Sequence, residues 1–240
     1  MSKKLDKQGQ LALFKGKDAP KKVLNYVEHY SLCEEAEELL FSLEDKEVAS
    51  AYIERYALYD EAQVKMVESS CGLRYVKEYI KSNYLCDKAQ IRIFTLPNAK
   101  DFVEAIIKTE DLCQEAIDAL LSMPNANEVL IPYFENGGYL SDESEVKMVN
   151  MPNNWEIFRA YIKEFSLSGS ALEALLSRKD SKKYLLLYFE ECMVACLSKE
   201  AEFMMLEHPD AQELIKAYRV RYVLYPEAEE KWNEMQAAAK

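Results

Sequence analysis

The sequence predicts an all-α fold, a solenoid of stacked helical hairpins, and three observations lead to it. A leucine recurs at Leu5, Leu32, Leu58, Leu85, Leu112, Leu140, Leu167, Leu197 and Leu224, at intervals of 26 to 30 residues. Four residues after every one of them stands a small side chain: Gly9, Ala36, Ala62, Ala89, Ala116, Ser144, Ala171, Ala201 and Ala228. Between leucines the apolar residues keep a helical period, and 6 Gly and 7 Pro in 240 residues are too few for a fold of many β turns. Self-similarity at a fixed period marks an array whose units bury their apolar faces against their neighbours. The expectation is a right-handed α-α superhelix of about eight to nine two-helix repeats of ~27 residues.

Within a repeat the elements follow from local chemistry. After Leu85, the residues Ala89, Ile93 and Leu96 fall at i, i+4 and i+7, one face of a short helix, here called B. Pro97-Asn98 ends it, as Pro124-Asn125, Pro152-Asn153 and Pro209-Asp210 do elsewhere, because proline stops a helix and the adjacent Asn or Asp starts the next. A somewhat longer helix, A, follows with Phe102, Val103, Ile106 and Ile107 on its apolar face. The residue after the leucine is Asp6, Ser141, Ser168 or Ser198 in four repeats, each a good N-cap for B, and Pro226 suits the first helical position. Glutamates in the first turn (Glu35, Glu61, Glu115, Glu143, Glu200, Glu227) complement the helix dipole, so much of the acidity is helix chemistry.

The array is expected to be one domain over 1–240. Residues 1–25 align with 85–105 and begin on a B helix as an N-terminal capping repeat. The body runs over 26–217, and 218–240 close the array on a last B helix from Glu227 to about Gln236. Two repeats break the rhythm. Pro132, ahead of Asn136-Gly137-Gly138, predicts a kinked or broken A helix and the weakest joint of the array. Three extra residues around Cys192-Met193-Val194-Ala195-Cys196 predict an A helix lengthened by about one turn.

Repeats of this length, with a long and a short helix and Pro-Asn or Pro-Asp between them, resemble the leucine-rich repeat variant proteins of bacteria and, more distantly, HEAT-like arrays. The residues Leu85 to Ala89 and Leu96 to Ala99 carry the resemblance best. It implies the right-handed stack of helical pairs. Some leucine-rich repeat variant proteins are associated with a cysteine-bound iron-sulfur cluster; no clustered cysteines occur near this N-terminus, and the cluster is not carried over.

The chain has a net charge of -12, unevenly spread. Residues 1–25 hold seven lysines against Asp6 and Asp18, leaving 23 basic and 40 acidic groups in the remainder. An acidic body repels phosphate backbones, so nucleic acid is not the expected ligand. No apolar run approaches the ~18 residues of a membrane span and no signal-peptide core is visible, so a cytoplasmic protein is expected.

Chemistry finds little purchase. Cys33, Cys86 and Cys113 share one repeat position, where sulfur stands in for serine. Stacked helices set equivalent residues ~8–10 Å apart, beyond the ~7 Å a disulfide allows. Cys192, Cys196 and His208 are too few for a closed zinc site, so no metal is expected. Tyr26, Tyr52, Tyr79, Tyr133, Tyr161, Tyr188 and Tyr218 occupy one A-helix position and predict a half-buried ladder with hydroxyls at its edge. His29 and His208 lie far apart and no phosphate loop or nucleophile motif is present, so no catalytic residue, cofactor or enzymatic activity is expected.

The function expected is that of a non-catalytic protein–protein interaction scaffold. The alternatives are a HEAT-like nucleic-acid-binding or DNA-repair protein, and an enzyme with a carboxylate site on a concave face. For the scaffold, the variable B-helix positions six and seven residues after each leucine are the candidate surface. Val64-Lys65, Ile91-Arg92, Val146-Lys147 and Asp118 would meet an acidic, partly apolar protein partner. The A-helix faces around Glu54, Lys81 and Lys163 are next in line.

Overall fold

The structure is a computed structural model describing residues 4–109 and 111–238, and among these residues its regular elements are α-helices and one short 3-10 helix (Phe41–Leu43), with no strand. The B helices are α1 (Lys7–Leu13), α3 (Glu34–Leu40), α5 (Asp60–Glu68), α7 (Asp87–Ile93), α9 (Gln114–Leu121), α11 (Asp142–Asn150), α13 (Gly169–Leu176), α15 (Lys199–Glu207) and α17 (Pro226–Ala238). The A helices are α2 (Ala19–Val27), α4 (Lys46–Ile53), α6 (Gly72–Tyr79), α8 (Ala99–Ile106), α10 (Ala126–Glu135), α12 (Trp155–Glu164), α14 (Ser181–Glu191) and α16 (Ala211–Tyr218). The chain divides after Ala119 into two compact units. In the first, α1, α3, α5 and α7 pack in sequence order as one row and α2, α4, α6 and α8 as another; α1 packs on α2, α5 on α6 and α7 on α8. In the second, the rows are α11, α13, α15, α17 and α10, α12, α14, α16, joined by α11 on α12, α13 on α14 and α15 on α16. Each unit is thus a stack of helical hairpins of the α-solenoid kind.

The predicted N-caps are in place. Asp6, Ser141, Ser168 and Ser198 accept from the backbone N–H groups of Gly9, Ser144, Ala171 and Ala201, and Pro226 opens α17. The small residue of every repeat from Ala36 to Ala228 is 0% exposed. A larger side chain there would overpack the row, at about 1–3 kcal/mol.

In six repeats a polar clamp, one residue beyond the small one, ties the repeat to the next. Gln10, Gln63 and Gln90 donate through Nε2 to the carbonyl of their own leucine (Leu5, Leu58, Leu85), and their Oε1 accepts the N–H of Cys33, Cys86 and Cys113 in the following repeat at 2.6 to 2.7 Å. In three repeats a buried glutamate takes this place. Glu37, Glu145 and Glu202 accept the N–H of Tyr59, Ser168 and Tyr225 through one oxygen and the hydroxyl of Tyr52, Tyr161 and Tyr218 through the other. Burial raises the Glu37 and Glu202 carboxyls above their ordinary value against the opposing pull of these hydrogen bonds. Loops between stacked helices leave N–H and C=O groups that a dry interface must satisfy, and this side chain does so twice over.

The tyrosines correct the expected half-buried ladder. All seven are buried, and the hydroxyls turn inward: those of Tyr52, Tyr79, Tyr188 and Tyr218 accept the N–H of Leu32, Leu58, Leu167 and Leu197 at 3.0 to 3.3 Å. Burial raises the phenols of Tyr52, Tyr161, Tyr188 and Tyr218 well above the ordinary value, so they remain proton donors and acceptors rather than charges. The recurring leucine and the recurring tyrosine are therefore two ends of one backbone-satisfying device.

The clamp also accounts for the irregular spacings. Wherever it is Gln or Glu the next leucine follows after 26 or 27 residues; where it is Ile117 or Leu172 the interval is 28 or 30. An apolar side chain there imposes no hydrogen-bonding distance on the following loop, which is then free to differ in length. After Leu172 the loop is satisfied from the other side: the Tyr222 hydroxyl accepts the N–H of Ala195, and Arg221 Nη1 donates to the carbonyls of Phe189, Glu190 and Cys192.

Neither a broken helix at Pro132 nor an A helix extended through Cys192–Cys196 is found. Helix α10 runs unbroken through Pro132, because one missing donor weighs less than the burial of Val129, Leu130, Tyr133 and Phe134 on its inner face. Helix α14 is the longest A helix at 11 residues, yet Cys192 to Cys196 lie beyond its end in the loop held by Arg221 and Tyr222.

Candidate protein-interaction surface

The B-helix residues singled out from the sequence lie at the surface, cations outermost. Val64, Ile91, Asp118 and Val146 are half-buried, and Lys65, Arg92 and Lys147 are exposed. In the first unit, Lys65 Nζ and Arg92 Nε converge on the two oxygens of Glu68, at 3.3 and 2.8 Å, and Arg92 Nη1 also donates to Thr95 Oγ1. Asp118 accepts from Gln114 Nε2 at 3.1 Å. Val146 and Lys147 belong to the second unit, so the seven residues form two sets.

Ion pairs between neighbouring repeats recur along the B rows. Lys7 pairs with Glu35, Lys88 with Glu61, Arg92 with Glu68, Lys199 with Glu227 and Lys231 with Glu207. Exposed pairs of this kind contribute little to stability and exchange readily with the charges of a partner. They hold Glu35, Glu61, Glu207 and Glu227 below the ordinary carboxylate value through the lysine hydrogen bond.

A further concavity lies in the first unit, on the A-helix side, and includes Lys81. A groove of about 740 Å³ runs along α6, between the start of α4 and the turn leading into α8. Leu73, Leu96 and Pro97 present apolar surface to it, and Lys46, Arg74, Lys77 and Lys81 stand around it. Its two carboxylates are engaged from within the chain. Glu78 accepts from Ser50 Oγ at 2.7 Å and Arg74 Nε at 2.9 Å; burial pushes its carboxyl up, but these two donors outweigh it and hold it below the ordinary value. Glu68 is the residue already shared by Lys65 and Arg92, so the groove and the B-helix patch meet at this one side chain. The turn into α6 is tight: a Cβ on Gly72 would lie 2.3 Å from the Val67 carbonyl oxygen, so glycine lets α6 start hard against the end of α5.

The groups considered for other chemistry have structural partners. Cys33 and Cys86 sit at the N-cap positions of α3 and α7, and burial raises the Cys86, Cys113 and Cys192 thiols, which disfavours the reactive thiolate. The Cys192 thiol faces the Phe165 carbonyl at 3.7 Å. His208 accepts the Asp210 N–H at Nδ1, so its Nε2 carries the proton in the neutral ring and donates to the buried Ser181 hydroxyl at 2.8 Å. Among the described residues no three His, Cys, Asp or Glu side chains converge to hold a metal ion, and no helix is long and apolar enough to cross a membrane. The buried tyrosine rings present no face on which a base could stack. Comparison of the chain with protein-family models, with curated proteins and with solved structures finds no match.

Proposed function

We propose that this chain is a non-catalytic scaffold, a cytoplasmic helical-repeat protein that holds another protein against its surface. The leucine-rich repeat variant or HEAT-like kind, with right-handed stacking, is the reading its repeats support. The observation that carries the proposal is how the repeat divides its positions. From the second repeat on, the leucine, the small residue, the clamp and the tyrosine recur and are buried, whereas the positions six and seven residues after the leucine vary and stand at the surface. A partner with acidic and apolar groups would give these cation-plus-apolar pairs a use beyond the exposed ion pairs that Lys65 and Arg92 make within the chain.

The test is affinity capture from the native host with the wild-type chain and with Arg92→Glu combined with Lys147→Glu. The expected result is a protein retained by the wild type and lost with the double variant, while the two melt at similar temperatures. Identical sets of captured proteins would remove the B-helix patch from the account, and nucleic acid as the specific captured species would favour the alternative reading.

A further inference from the structure

We infer that the groove across α6 is a docking site for an extended acidic peptide segment carrying an apolar residue, supplied by a partner protein. The inference rests on the scaffold reading and specifies the chemistry of what is held.

Charge comes first. The groove brings Lys46, Arg74, Lys77 and Lys81 together on a chain of net charge -12, against Glu68 and Glu78. Both carboxylates are already satisfied internally, Glu78 by Arg74 and Ser50, Glu68 by Lys65 and Arg92. Among the described residues, Lys46, Lys77 and Lys81 have no carboxylate within ion-pair distance, and all three are exposed. Three such cations around one concavity, on a molecule this acidic, attract negative groups locally and repel them elsewhere. A short acidic segment fits that field, whereas a long polyanion would bring its outer charges against the surrounding carboxylates.

Shape and spacing narrow the class. Leu73, Leu96 and Pro97 offer apolar surface between the cations, and about 740 Å³ is room for one large apolar side chain and the backbone on either side of it. Inorganic phosphate or a small polyanion would leave that surface wet. Lys77 stands in the last turn of α6 and Lys81 in the turn that follows it, and both line the groove. Two carboxylates of an extended peptide can meet these lysines while a neighbouring side chain reaches Leu73 and Leu96. The peptide class is a short segment with at least two acidic residues and an adjacent aliphatic or aromatic residue.

The experiment uses the full-length chain and a phage-displayed library of short linear peptides, followed by fluorescence anisotropy on the recovered sequences. Expected is enrichment of segments with at least two acidic residues next to an apolar residue. Their affinity should fall at least about tenfold in Lys77→Glu combined with Lys81→Glu, fall again as salt is raised, and be unaffected by Lys163→Glu in the second unit. Inorganic tripolyphosphate should compete poorly. Recovery of no peptide, recovery of peptides without acidic residues, or equal affinity for the lysine variant would overturn the inference, and so would tripolyphosphate competing as well as the peptide. Lys77→Gln with Lys81→Gln, which removes charge without adding repulsion, should weaken binding in the same direction if the reversed variant is poorly folded. The scaffold reading is separable from this outcome: a host protein captured by the wild type and by the Lys77, Lys81 variant, but lost with Arg92→Glu and Lys147→Glu, keeps the scaffold and discards the groove.

Discussion

Gln63→Leu is the perturbation that probes the clamp most sharply, because leucine keeps the volume and removes both hydrogen bonds. Gln63 is 5% exposed; its Nε2 donates to the Leu58 carbonyl at 3.1 Å and its Oε1 accepts the Cys86 N–H at 2.7 Å. The substitution leaves two backbone groups at a buried junction without these partners, at ~1–3 kcal/mol each, partly offset by the added apolar burial. A net loss of about 2–4 kcal/mol is expected. Gln63→Glu is the control. The three repeats that carry glutamate here keep the backbone acceptor role and take a tyrosine hydroxyl on the second oxygen, and Tyr79 is the equivalent tyrosine, its hydroxyl 3.1 Å from the Leu58 nitrogen. Urea unfolding followed by circular dichroism should rank wild type and Gln63→Glu above Gln63→Leu. Hydrogen exchange should show the Cys86 amide losing protection in the leucine variant alone. If Gln63→Leu proves as stable as Gln63→Glu and the Cys86 amide keeps its protection, the clamp is not what joins the repeats.

Three other outcomes follow from the same interior. Glu37 and Glu202 are raised by burial, so each contributes most to stability below the ordinary glutamate value of 4.5, and that contribution is lost as pH rises through the folded-state value. Glu37→Gln should accordingly gain on wild type in melts taken from acidic toward neutral pH, and a constant difference across that range would contradict the buried-charge reading. Gly72→Ala puts a Cβ 2.3 Å from the Val67 carbonyl oxygen, and forced separation of α6 from α5 should lower stability by about 1–3 kcal/mol in thermal melts. Gly138→Ala, whose Cβ would fall 2.3 Å from the Tyr133 ring, should cost a similar amount and loosen the amides around α10, measured by hydrogen exchange.

Much of this architecture was legible because it is written locally. The leucine and small-residue period, the serine and aspartate N-caps and Pro226 at a helix start each depend on a few consecutive residues, and all stand where the sequence placed them. The clamp was present as a polar residue at one fixed offset amid core positions. Its identity alternates between Gln and Glu and its partner lies 22 or 23 residues away, so periodicity alone gave no reason to bury it. The tyrosines were misjudged for a related reason: a phenol beside apolar neighbours suggests a polar tip at the surface, whereas here the unpaired N–H of each leucine draws the hydroxyl inward. At Pro132 the local rule for a broken helix yielded to the burial of four neighbours. The groove was the least visible, since it draws Lys46, Lys77 and the Leu96-Pro97 turn from three successive repeats, and in sequence the lysines read as ordinary solvated residues and Leu96 as part of a helix face.

The most direct test of the scaffold claim is site-specific photo-crosslinking in the native host. A photoreactive benzoyl-phenylalanine replaces Ile91 on the B-helix patch, Lys81 beside the groove, or Val223, an exposed residue of the second unit outside both surfaces. The account predicts a discrete protein adduct from Ile91, Lys81 or both, and none from Val223. No adduct from either of the first two positions, or the same adducts from all three, would contradict it.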